Sequence, residues 1–175
     1  MEPTDALFNV IEASLALAGF AGIVTALDQR SAGHWRRDDR DRIINLLMAT
    51  LFAFVSSLLA LTLIYADVAS VWRVSSAALT FILLVWVVVS GLGVLRARQD
   101  PAVSVSTSYL ATIYLSVAAS IALQFANLLR FDAFWPYFAG LAVLLCIGAS
   151  QFARLLWFGF LGTRAAQQAD EADVE

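Results

Sequence analysis

The stretch LTFILLVWVVVSGLGVL, residues 79–95, carries no charged side chain and does not alternate polar with apolar residues. It belongs to one of five long apolar segments, at 6–27, 43–66, 72–95, 107–129 and 134–160. A helix needs about 20 predominantly apolar residues to cross the hydrocarbon core of a bilayer, and each segment meets that length. Lipid offers no water to backbone groups, so an open sheet cannot occupy it. A closed barrel would need period-two alternation, which is missing here. The pattern predicts an all-α, polytopic membrane bundle of five transmembrane helices.

Composition supports the same solvent. Hydrophobic residues make up 61% of the 175 and charged residues only 14%, whereas a soluble domain has about 25% charged residues. The five spans and their short connections place one transmembrane domain at 1–163, followed by an acidic tail, 164–175, expected to be disordered. The first span lacks the positive leader of a secretory signal, carrying Glu2 and Asp5 instead, and reads as a retained helix.

All eleven basic residues are arginine, and their positions orient the bundle. Five of them, Arg30, Arg36, Arg37, Arg40 and Arg42, lie in the loop 28–42. With Arg96, Arg98 and Arg164 they put eight arginines on one side, against Arg73 and Arg130 on the other. The excess of arginine marks the cytoplasmic face, so the N-terminus is expected outside and the C-terminus inside. Trp72, Trp135 and Tyr137 then fall at the outer interface and Trp35 and Trp157 near the inner one, as an aromatic belt would have them. Exclusive use of arginine, together with LALAGFAGIVTAL and DRDRIINLL around a charged loop, resembles small bacterial membrane proteins. The expected location is therefore a bacterial cytoplasmic membrane.

Several chemistries are excluded or disfavoured. His34 is the single histidine, so a bis-histidine haem, an HExxH zinc site or a histidine-based triad cannot form within one chain. There is no lysine for a phosphate loop. Cys146 stands alone in an apolar run and reads as a small hydrophobe. Asp38, Asp39 and Asp41 interleave with the loop arginines and remove the net basic patch that nucleic acid requires. No cofactor, metal or enzymatic activity is expected.

What remains is a small set of polar residues inside the spans. Glu12 lies about 9 Å below the start of the first span at 1.5 Å per residue, with Asn9 one turn away on the same face. At matching depth on the fourth span, Gln124, Asn127 and Arg130 form a polar stripe. Two readings follow for these five residues: an interhelical hydrogen-bond clamp, or an acid facing water in a pore or cavity. At the other end, Asn45, Gln151 and Arg154 make an inner polar set, with Arg154 able to snorkel or to pair with Asp28 or Asp41.

Helix one carries two further stripes. Ser14, Ala18, Gly22 and Ala26 recur every four residues and predict a small-residue ridge for close helix packing. Leu15, Gly19, Ile23 and Leu27 trail Glu12 towards Arg30. If copies of helix one ringed an axis, the order would be an acidic ring, an apolar constriction and a basic inner mouth. In outline this order resembles the pore helix of Orai-type calcium channels, with the chain direction reversed and a different helix count. The alternative use of Gly19 and Gly22 is to pack helix one into its own bundle.

The leading expectation is a homo-oligomeric, cation-permeable channel lined by helix one, with Glu12 at the outer mouth. A second is a binder or carrier of small apolar molecules or lipid within the bundle. A third is a non-conducting effector that presents the 28–42 loop to a cytoplasmic protein. The expected partners are membrane lipids, further copies of the chain and a protein at that loop, with no nucleic acid.

Overall fold

The computed structural model describes the backbone of residues 2–31, 37–97 and 107–172, and side chains within 2–26, 42–95 and 107–157. The described chain is all-helical: α1 (Pro3–Ser31), α2 (Arg37–Tyr65), α3 (Val71–Ala97), α4 (Thr107–Ala126) and α5 (Phe134–Ala172). A π-helical turn, Asn127–Phe131, continues α4. Each helix contains a window long and apolar enough to cross a bilayer: Pro3–Ala26, Arg42–Tyr65, Val71–Leu95, Thr107–Phe131 and Phe134–Trp157. These windows reproduce the five expected segments to within a few residues.

Helix α5 runs on to Ala172, through most of the segment 164–175. The composition of RAAQQADEA explains this: alanine, glutamine and glutamate are strong helix formers even where nothing apolar needs burying. Most of the 28–42 loop, proposed above as a partner contact, lies outside the described side chains, as do Trp35, Asp28, Asp41 and Leu27.

Helices α2 and α5 form the middle of the bundle. Helix α1 packs on both, α3 on α2 and α4, and α4 on α3 and α5. Small residues set the closest approaches. Ala49, Ala53 and Ser57 recur every four residues along α2, and all three are fully buried. Gly148 of α5 sits where α5 meets both α2 and α1. A Cβ there would lie 3.2 Å from Thr50 Cγ2 and 3.8 Å from Leu17 Cδ1. Leu46, Leu79, Leu83, Val117, Leu141 and Leu144 fill the space between.

The outer surface is mostly oil. Phe8, Phe81, Val88, Leu115 and Leu129 are among many large apolar side chains left exposed, on a scale that a water-soluble monomer does not tolerate. The fold fits a membrane protein.

The α2–α3 and α4–α5 corners are tight and built on related devices. At the first, Asp67 is left-handed, with φ 53°. Val68 N–H donates to Leu63 O and Asp67 N–H to Ile64 O, the paired bonds of a Schellman motif. At the second, Asp132 is left-handed, with φ 47°, and its N–H reaches back to Asn127 O. Asp132 does not cap α5 as its place before that helix suggests. Its carboxylate turns across the corner to accept from the Arg73 backbone N–H at 3.2 Å and to pair with the Arg73 guanidinium at 3.7 Å.

Candidate functional site

The polar residues expected to meet in one cluster occupy two separate places. Gln124 and Asn127 are fully buried, but their partners come from α3 and α5, not α1. Ser76 Oγ–H donates to Gln124 Oε1 at 2.9 Å, and Asn127 Nδ2–H donates to Ser76 Oγ at 2.8 Å. Gln124 Nε2–H donates to Pro136 O at 2.6 Å. Asn127 also grips the backbone of Ala133 twice, donating to its carbonyl at 3.0 Å and accepting from its N–H at 2.9 Å.

Local structure explains the arrangement. Pro136 lies in the first turn of α5, where proline's missing N–H does no harm, and its carbonyl oxygen has a second lone pair with which to accept the Gln124 amide. The π-helical turn widens the end of α4, and Asn127, its first residue, lies opposite Ala133 just before α5. The pairing closes a chain of hydrogen bonds through α3, α4 and α5. It contains no ionisable side chain and ties the three helices together. The clamp reading of Gln124 and Asn127 therefore needs a different partner set: Ser76, Ala133 and Pro136 replace Asn9 and Glu12. Arg130, one turn on from Asn127, is exposed and takes no part in these bonds.

Asn9 and Glu12 sit on the far side of the bundle. Both are exposed, and among the described residues Glu12 has no hydrogen-bond partner. Leu15, Gly19 and Ile23, the expected constriction, are exposed on the same face. This follows from helical geometry: steps of three, four and four residues turn by about −60°, +40° and +40°, so the stripe stays on one side. It is an open apolar face with one carboxylate near its N-terminal end.

The small-residue ridge fares differently. Ser14 is buried, Ala18 half-buried, and Gly22 and Ala26 exposed. Each four-residue step advances about 40° beyond a full turn, so three steps carry the stripe from the bundle interior to the outside. A Cβ at Gly19 or Gly22 would meet nothing within 4 Å. The alternative in which these glycines pack α1 into its own bundle is corrected accordingly.

Of the inner polar set, Asn45 is half-buried and Gln151 buried. Arg154 is half-buried, its guanidinium carbon 4.0 Å from the centre of the Tyr109 ring. Among the described residues it has no carboxylate partner, and the three residues share no hydrogen bond.

One aromatic assignment also changes. Tyr137 does not lie at an interface: it is fully buried and its hydroxyl donates to Ser56 O on α2. Trp86, in the middle of α3, is buried beside Tyr114, with its indole N–H unpartnered. Trp135 and Trp157 are exposed, the first at the start of α5 and the second at the end of its apolar window.

Sequence reasoning passed over Ser76, Gly140 and Tyr109. Serine and glycine within an apolar run carry little signal. The one available cue was the pair Ser75–Ser76, two adjacent hydroxyls one turn into a span, both fully buried. Among the described residues no three His, Cys, Asp or Glu side chains are grouped so as to hold a metal ion. Comparison with protein-family models, curated proteins and solved structures finds no match to this chain.

Proposed function

We propose that the chain is a multi-pass protein of a bacterial cytoplasmic membrane, N-terminus outside and C-terminus inside, that self-associates through the open face of α1 into a cation-permeable channel. The observation that carries this reading is Glu12. Its carboxylate projects from an apolar helix on a face that the other described residues leave uncovered. A charge placed in hydrocarbon costs roughly 3 kcal/mol on insertion scales, and acids in such positions characteristically face water or partner groups. The described residues of one chain offer it no partner, whereas a ring of chains around α1 would supply both.

The rest of the face is suited to that arrangement. Leu15, Gly19 and Ile23 follow Glu12 inward, giving an apolar segment behind an acidic ring, the order that favours cations and permits closure by dewetting. Gly19 and Gly22, which have open space around them within one chain, allow close approach of neighbouring copies.

The test combines mass and flux. Native mass measurement of protein extracted with its lipids should give several copies per particle. In planar bilayers the wild type should pass cations over anions, and Glu12→Gln should lower that preference. A single-chain particle, or unchanged selectivity in Glu12→Gln, would remove the reading.

A further inference from the structure

A groove of about 390 Å³ runs between α4 and α5, lined by Ile113, Ser116, Ala142, Val143, Cys146 and Ile147 and reaching Tyr109 and Ser150 at one end. That volume falls within the roughly 300–1,000 Å³ of small-molecule clefts. Between Ala142 and Ser150 the α5 wall is about 12 Å long at 1.5 Å per residue. The groove is open along its side, where Cys146 and Thr112 are exposed, so its occupant enters from the surrounding lipid and not through the bundle.

At the Tyr109 end the wall becomes polar in an ordered way. Ser150 Oγ–H donates to Ile147 O at 2.8 Å, which leaves its oxygen to accept the Tyr109 hydroxyl proton at 3.0 Å. The phenol ring is held there, and Arg154 lies over its face. The ring holds the guanidinium in place through its π face and takes none of the N–H groups in conventional hydrogen bonds, leaving them for an anion. Arg154 is one turn before Trp157, an exposed tryptophan at the end of the apolar window, so the charge sits at the depth of lipid headgroups.

We propose that the α4–α5 groove is a binding site for one anionic phospholipid, an acyl chain lying along Ile113, Ala142, Val143 and Cys146 and the phosphate meeting Arg154 on its Tyr109 platform. Charge complementarity selects this occupant: a zwitterionic lipid would fill the groove equally well but would bring an ammonium to the arginine. The proposal rests on the chain lying in a bilayer, and not on self-association or on Glu12, so a monomer without ion flux would leave it standing.

The test is competitive retention. Purified protein is mixed with equal amounts of phosphatidylglycerol and phosphatidylcholine of the same acyl chains, and retained lipid is counted by native mass spectrometry. The wild type should retain one phosphatidylglycerol per chain with about fivefold preference, the scale set by one arginine near an anionic surface. Arg154→Gln should bring the ratio to near parity. Arg154→Gln should still retain one lipid per chain, a stoichiometry that a loss of fold would not keep. Cys146→Trp, which fills the groove without touching the charge, should lower retention of both lipids. Inorganic phosphate at millimolar concentration should displace neither. A preference that survives Arg154→Gln, or retention unaffected by Cys146→Trp, would overturn the site. So would displacement by phosphate, which would mark a site for a free anion.

Discussion

Asp67 and Asp132 are, among the described residues, the two non-glycine positions with left-handed backbone, and they close the α2–α3 and α4–α5 corners respectively. The same strained conformation is used differently. Asp67 makes only the backbone bonds of its turn, while the Asp132 carboxylate also holds Arg73. An L-residue in this region costs roughly 1–2 kcal/mol, less for aspartate, and glycine removes the cost. Asp67→Gly should therefore raise stability by about 0.5–1 kcal/mol. Asp132→Gly should gain less or lose, because the Arg73 contacts go with the carboxylate. Equilibrium unfolding of both variants in the same detergent would check the difference.

Gly140 and Gly22 should respond oppositely to a larger side chain. A Cβ at Gly140 would lie 2.6 Å from Gln124 Nε2 and 2.8 Å from Leu79 Cδ2, whereas one at Gly22 meets nothing. Gly140→Ala should destabilise by about 1–3 kcal/mol, the usual cost of overpacking. Gly22→Leu should leave the melting of a single chain nearly unchanged and weaken self-association, read as a shift to lower particle mass.

Asn127 links the end of α4 to α3 and to the residue before α5. Asn127→Leu keeps the volume and removes one bond to Ser76 and two to Ala133. At about 0.6 kcal/mol for an average hydrogen bond between membrane helices, the loss should be roughly 2 kcal/mol. Unfolding measurements should show it, and Ser76→Ala in the Asn127→Leu background should cost about one bond more, because Ser76 Oγ–H still donates to Gln124 Oε1 there.

Tyr137→Phe deletes one hydroxyl and leaves the ring between α2 and α5. The lost bond to Ser56 O should cost about 1 kcal/mol. Ser56→Ala should cost much less, because the bond is to its backbone and its own hydroxyl is unpartnered.

Length and hydropathy made the five helices legible, since solvent imposes them along the chain. Counting residues puts Glu12 and Gln124 at a similar distance from their helix ends. What counting does not give is which helices are neighbours, and here α1 packs on α2 and α5 while Gln124 faces α3 and α5. The same limit explains Tyr137, whose level near a helix end suggested an interface while its direction points inward. The α1 ridge failed through arithmetic, because a four-residue repeat drifts around a 3.6-residue helix. On α2 a ridge of the same spacing, Ala49, Ala53 and Ser57, does pack, because it is short enough to stay on one face. Half of the clamp was hidden because backbone carbonyls, at Ala133 and Pro136, leave no trace in residue type.

The grip of Asn127 on Ala133 and of Gln124 on Pro136 lies wholly inside the α4–α5 hairpin. Either segment delivered alone to a translocon would carry bare amide or carbonyl groups into lipid. Delivered together, they shield one another before the rest of the bundle gathers around them. In a bilayer the two spans would thus be best shielded as a pair, to which α3 adds the hydroxyl of Ser76.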